Sequence, residues 1–253
     1  MIIIAGDSWG AGEWNNFVIQ HAGLAQCLTD DGYQVVNLSR PGGSNYDTWN
    51  RLENFLMSNS YAKIEKIFVF QTEWERELLL QTKEVLPDVT AAKILNSVGI
   101  TYIDPNKDLA DQLQIETANG LGTVLMLNFY QQLSRLANIY NVNFDIIGGC
   151  VDAMMVDIPR VRIVCQSFVN LLINNDSTIN NPVHTHYQHK TVLEYVKNNL
   201  GSTLELEALL DRVDHAETRI EVFKSNPNWF YPDGVHANRA GHRILYDFLR
   251  NKW

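Results

Sequence analysis

Cysteine is scarce in this chain. Cys27, Cys150 and Cys165 are odd in number and form no C-x-x-C unit, which argues against a disulfide framework or a thiolate metal site and suits a reducing compartment. Positive charge is scarce too. Twenty Lys and Arg stand against 29 Asp and Glu, for a net charge of -9 with no basic block. A general nucleic-acid binder, which relies on Lys and Arg against phosphate, is therefore not expected. No apolar run approaches the roughly 18 residues of a membrane span, and Met1 to Ala5 precede the first glycine without the basic flank of an export signal. The expectation is a soluble, non-exported, cytoplasmic protein with no membrane partner, although its composition would equally suit a viral particle. Neither G-x-x-x-x-G-K-[ST] nor G-x-G-x-x-G occurs, and no cofactor is expected.

What is present is a periodic alternation. Short runs rich in β-branched residues, at 1–5, 34–38, 66–71, 143–148 and 161–166, read as five strands. Between them Val18 to Leu28, Trp49 to Met57, Val89 to Val98 and Leu121 to Tyr140 carry helical apolar spacing, and Ile244, Leu245, Phe248 and Leu249 do so in a final helix. This predicts an α/β fold, a three-layer α/β/α sandwich around a mostly parallel sheet. At 253 residues, 45% of them apolar, the chain can fold as one domain. Insertions around 72–118 and 167–226 exceed the minimal plan and are expected to decorate the rim. In the second, Leu206, Leu209, Val213, Ala216, Ile220 and Phe223 step by three and four residues. Such a stripe either lies on its own domain or makes the 204–223 helix a homo-oligomer contact.

The chemistry sits at the two ends. Gly6-Asp7-Ser8 ends the first apolar run, with Gly10 two residues on. That places Ser8 in a turn at the carboxyl end of a strand, where open α/β sheets bind ligands. The backbone N–H groups of a following helix would favour negative charge there. A hydroxyl needs a base to become a nucleophile. His236 is the best placed of seven histidines: it follows Asp233 by three residues, ahead of the last helix, whereas His242 lies further along and would face away. Asp233 alone reads equally well as a cap or turn residue before Gly234. Together with Gly6-Asp7-Ser8, it reads as the carboxylate that orients the imidazole.

These residues resemble the SGNH (GDSL) hydrolase family, whose nucleophile lies in a G-D-S block after the first strand and whose Asp-x-x-His pair precedes the C-terminal helix. Gly6-Asp7-Ser8 and Asp233-Gly-Val-His236 match those two blocks, and Asn37-Leu-Ser-Arg-Pro-Gly42-Gly43-Ser44-Asn45 is similar to the block that supplies a glycine N–H to the oxyanion hole. The resemblance spans nearly the whole chain. It implies a catalytic triad of Ser8, Asp233 and His236, with oxyanion or substrate contacts from Gly42, Gly43 and Asn45, and ester hydrolysis directed first at O-acetylated carbohydrate or short acyl esters.

The third block departs from the family. Where G-x-N-D is usual, the chain reads Gln71-Thr72-Glu73-Trp74, with Glu73 at the place of the donating asparagine. An ionised carboxylate accepts hydrogen bonds and cannot donate them. Three solutions are open: Glu73 protonated by burial, a donor from Thr72 or Trp74, or Glu73 held by Arg76 while two backbone donors serve the oxyanion. A fourth outcome is a protein that keeps the fold for carbohydrate binding or assembly and leaves Ser8 vestigial. Residues 71–76 read either as cleft wall or as a solvated turn. Trp9, Trp14, Tyr46 and Trp49 read as core, or as flat rings that would suit a sugar. His184-Thr-His186-Tyr-Gln-His189 lacks the helical i, i+4 pair of zinc proteases and a nearby carboxylate, so no metal is expected.

Overall fold

The computed structural model describes residues 1–15, 18–60, 62–72, 121–149, 151–178, 197, 204, 207, 219–231 and 236–252. In chain order the elements are β1 (Ile2–Ala5), α1 (Ser8–Ala11), β2 (Glu13–Asn15), β3 (Val18–His21), α2 (Gly23–Asp30), β4 (Val35–Asn37), α3 (Asn45–Ser58), β5 (Lys66–Gln71), α4 (Leu121–Tyr140), β6 (Phe144–Gly148), β7 (Val161–Cys165), α5 (Phe168–Asn174), α6 (Arg219–Ser225) and α7 (Arg239–Arg250).

The main sheet has five strands in the order β4-β1-β5-β6-β7, and every pair is parallel. Side chains along a strand alternate between faces, and both faces are apolar here. Ile2, Ile4, Phe68, Phe70 and Ile147 pack under α2, α5 and α7, while Ile3, Ala5, Ile67, Val69 and Ile146 pack against α3 and α4. Continuous apolar runs such as Ile2-Ile3-Ile4 are the signature of strands covered on both sides. The three-layer α/β/α sandwich read from the sequence is the observed architecture.

From β1 the chain passes first to β4 on one side, then returns across β1 to β5 on the other. Such a reversal opens a crevice at the carboxyl ends of the strands. The turn with Ser8 follows β1, the loop with Gly42 follows β4, and Thr72 follows β5. The sheet therefore gathers all three at one edge.

One expectation needs correction. The segment from Val18 to Leu28 is not one helix: Val18–His21 is a strand paired antiparallel with Glu13–Asn15, and α2 begins only at Gly23. The β-branched Val18 and Ile19 favour the ribbon, and Gly12 closes it at φ 123°, where a Cβ would stand 2.2 Å from the His21 carbonyl oxygen. The stretch Val89 to Val98, all of the 72–118 insertion beyond Thr72, and His184, His186 and His189 lie outside the described residues. Of the heptad stripe, only the Phe223 side chain is described; it is buried in the chain's own core, stacked on Phe230 at 4.0 Å. Among the described residues, no helix is long and apolar enough to cross a membrane.

Candidate active site

Gly6 makes the turn that carries the chain from β1 to Ser8, which is itself buried at 6% exposure. Gly6 adopts φ 150°, and a Cβ there would lie 2.7 Å from Phe70 Cβ and 2.8 Å from the Phe70 carbonyl oxygen, so only glycine lets β1 pass β5 this closely. Asp7 then caps α1, one carboxylate oxygen accepting from Trp9 N at 2.9 Å and the other from the Thr72 hydroxyl at 2.9 Å. The acidic residue of the G-D-S block thus ties the serine turn to the end of β5. The helix after Ser8 is a single turn of four residues, too short for the dipole expected from the sequence to add much, so any anion would be met mainly by local N–H groups.

The loop after β4 is fastened to the same turn. Arg40 N donates to the Gly6 carbonyl at 2.9 Å, Asn37 Nδ2 to the Gly10 carbonyl at 3.0 Å, and the half-buried Arg51 guanidinium to the Gly6 carbonyl at 3.1 Å and to the Leu38 carbonyl. Gly42 sits in the exposed part of this loop at φ 70°, whereas Gly43 and Asn45 are buried. Asn45 bonds reciprocally with the backbone of Thr72, Nδ2 donating to its carbonyl at 2.9 Å and Oδ1 accepting from its N–H at 3.0 Å. That clamp joins the β4 loop to the end of β5. Gln71 is likewise buried, donating to the Asp152 carbonyl at 2.9 Å and accepting from the Tyr130 hydroxyl.

His236 reaches Ser8 from the other end of the chain. Its Nε2 lies 2.9 Å from Ser8 Oγ, across 228 residues of sequence. A short antiparallel bridge fixes its backbone: Tyr231 N donates to the His236 carbonyl at 2.8 Å, and Asn238 N to the Trp229 carbonyl at 2.9 Å. Asn238 then caps α7 by accepting from Gly241 N at 3.0 Å. One residue on, Arg239 binds the buried Glu13 through its own N–H at 2.5 Å, Nε at 3.1 Å and Nη2 at 3.0 Å. Burial would raise the Glu13 carboxyl, but its bonds from Arg239 outweigh burial and hold it below the usual carboxylate range. Trp14, the next residue on β2, stacks on the His236 ring at 5.9 Å with 25° between the planes.

Solved structures of esterases match the chain along most of its length. They include a psychrotrophic esterase from Pseudoalteromonas sp. (10% identity, 99% of this chain and 94% of that one, TM-score 0.41). An acetyl xylan esterase matches at 14% identity over 100% and 99% of the two chains, with TM-score 0.40. An acetylxylan esterase from Geobacillus stearothermophilus matches at 13% identity over 99% and 92%, with TM-score 0.35. No protein-family model matches the chain, and no curated protein matches it.

Of the residues singled out in the sequence, Ser8, His236, Gly42, Gly43, Asn45 and Thr72 are described; Asp233, Glu73 and Arg76 lie outside the described residues. His242 is buried beside Phe168 and Gly23 and is not the histidine at Ser8. The four aromatics separate by role. Trp9 is core, Trp14 covers His236, and the exposed Tyr46 pairs with Trp49 at 5.4 Å. Sequence reading missed the Glu13–Arg239 pair, because nothing local links residues 226 positions apart.

Proposed function

We propose that the protein is a serine ester hydrolase working through an acyl-enzyme, folded as a single domain over 1–253 with rim insertions. One observation carries this reading: an imidazole nitrogen at hydrogen-bond distance from a serine hydroxyl, at the carboxyl end of a parallel α/β sheet. Ser8 Oγ attacks the ester carbonyl as His236 Nε2 takes its proton, which requires the ring's own proton on Nδ1. Asp233 would hold that tautomer. The N–H groups of Ser8 and Gly42 would receive the oxyanion, because the Glu73 carboxylate cannot donate. His236 returns the proton to the leaving alcohol, and water then releases the acyl group by the same steps in reverse order. The substrate class is an O-acyl ester. O-acetylated carbohydrate is its narrower form, supported by the resemblance and by exposed Tyr46 beside the Gly42 loop.

A fluorophosphonate probe tests the reading, because only an activated serine displaces its fluoride. Peptide mapping should find the label on Ser8 in the wild-type protein and none in His236→Ala. An unlabelled wild-type protein at high probe concentration would leave the fold serving binding or assembly.

A further inference from the structure

We propose that Trp14 is a positioning residue for His236, holding the ring toward Ser8 and stabilising the cation formed when it takes the serine's proton. The proposal rests on the hydrolase reading above. The indole lies nearly parallel to the imidazole, 5.9 Å between centroids and 25° between planes. An aromatic face attracts a cation, so the contact strengthens as the imidazole becomes imidazolium. A contact stronger in the transition state than in the resting enzyme raises turnover rather than substrate affinity.

The ribbon is built to hold that ring still. Glu13, directly before Trp14, takes three hydrogen bonds from Arg239, directly beyond the His236 turn. The ladder shifts register between Glu13 and Trp14, so the two residues leave regular alternation at the point where both face the His236 segment. The indole N–H is buried and finds no hydrogen-bond partner among the described residues. Ring packing and the backbone therefore fix Trp14, and another aromatic ring should serve in its place.

Trp14→Leu and Trp14→Phe in the full chain separate this role from packing alone. Turnover of a short acyl ester and the rate at which a fluorophosphonate labels Ser8 should both fall about tenfold in Trp14→Leu. KM should stay within about twofold of wild type, and Trp14→Phe should recover turnover to within about threefold. Circular dichroism and melting temperature establish that each variant is folded; if Trp14→Leu is not, Trp14→Met, whose unbranched side chain adapts better to an irregular gap, takes its place. Wild-type labelling with equally fast labelling of the aliphatic variant overturns the proposal and leaves the hydrolase reading standing. So does a folded Trp14→Phe as slow as the aliphatic variant. A wild-type protein that takes no label overturns both.

Discussion

Asn45 shows how one side chain can hold two strand ends at a fixed spacing. Its amide bonds both backbone groups of Thr72, and the Thr72 hydroxyl in turn donates to Asp7, one residue before Ser8. The serine turn, the Gly42 loop and the end of β5 are therefore one hydrogen-bonded unit, and a fault in any part should reach the others. Asn45→Ala removes both bonds inside the protein and should cost about 1–3 kcal/mol. A urea titration followed by tryptophan fluorescence reads this as a lower midpoint at constant slope. Asn45→Asp keeps the acceptor, loses the donor and buries a carboxylate against the Thr72 carbonyl, and should cost at least as much as alanine.

At the scale of elements, the β2–β3 ribbon is the part that sequence periodicity misassigned. Val18, Ile19, Ala22, Leu24 and Leu28 fit a helical stripe as well as they fit a strand followed by a helix, and a short apolar run cannot decide between them. The main-sheet strands were legible because they are β-branched, apolar on both faces and bounded by turns. The Ser8–His236 pair was legible because each residue lies in a short motif at a strand or helix end, Gly6-Asp7-Ser8 and Asp233-Gly-Val-His236. The supports of His236 were not: Trp14 and the Glu13–Arg239 pair acquire meaning only when distant segments meet. The pair has a consequence for the ribbon. Arg239→Ala would leave the Glu13 carboxylate buried without its main partner, so its pKa should rise and the ribbon should loosen. Hydrogen exchange should then accelerate at the amides of 13–15 and 18–21 while those of β1 and β5 keep their protection. Unchanged exchange across the ribbon would show that its own ladder suffices.

At the scale of the whole molecule, the apolar layers enclose few ionisable groups among the described residues, and His242 is one whose ionisation folding resists. Among the described residues, neither ring nitrogen has a hydrogen bond of normal geometry, although the Gly12 backbone lies close enough to favour the proton slightly. Burial first, then the neighbouring His21, push the imidazole down to about 4 from its ordinary 6.5. Below pH 6.5 the unfolded chain binds a proton that the folded one refuses. Stability from this group is therefore complete above about 6.5 and falls as the pH drops toward 4, by about 2–3 kcal/mol between pH 7.5 and 4.5. Urea unfolding at those two pH values measures the loss. A folded His242→Phe variant should show a smaller drop by that amount, and an unchanged drop would assign the acid sensitivity to other groups.

The Ser8–His236 contact also sets a timetable for synthesis. A ribosome making this chain must add 228 residues after the serine before its imidazole exists. Until then, the hydroxyl lacks the ring nitrogen that faces it in the folded chain. A nascent chain paused anywhere before residue 236 would thus carry the serine turn without the imidazole that stands 2.9 Å from it in the folded protein.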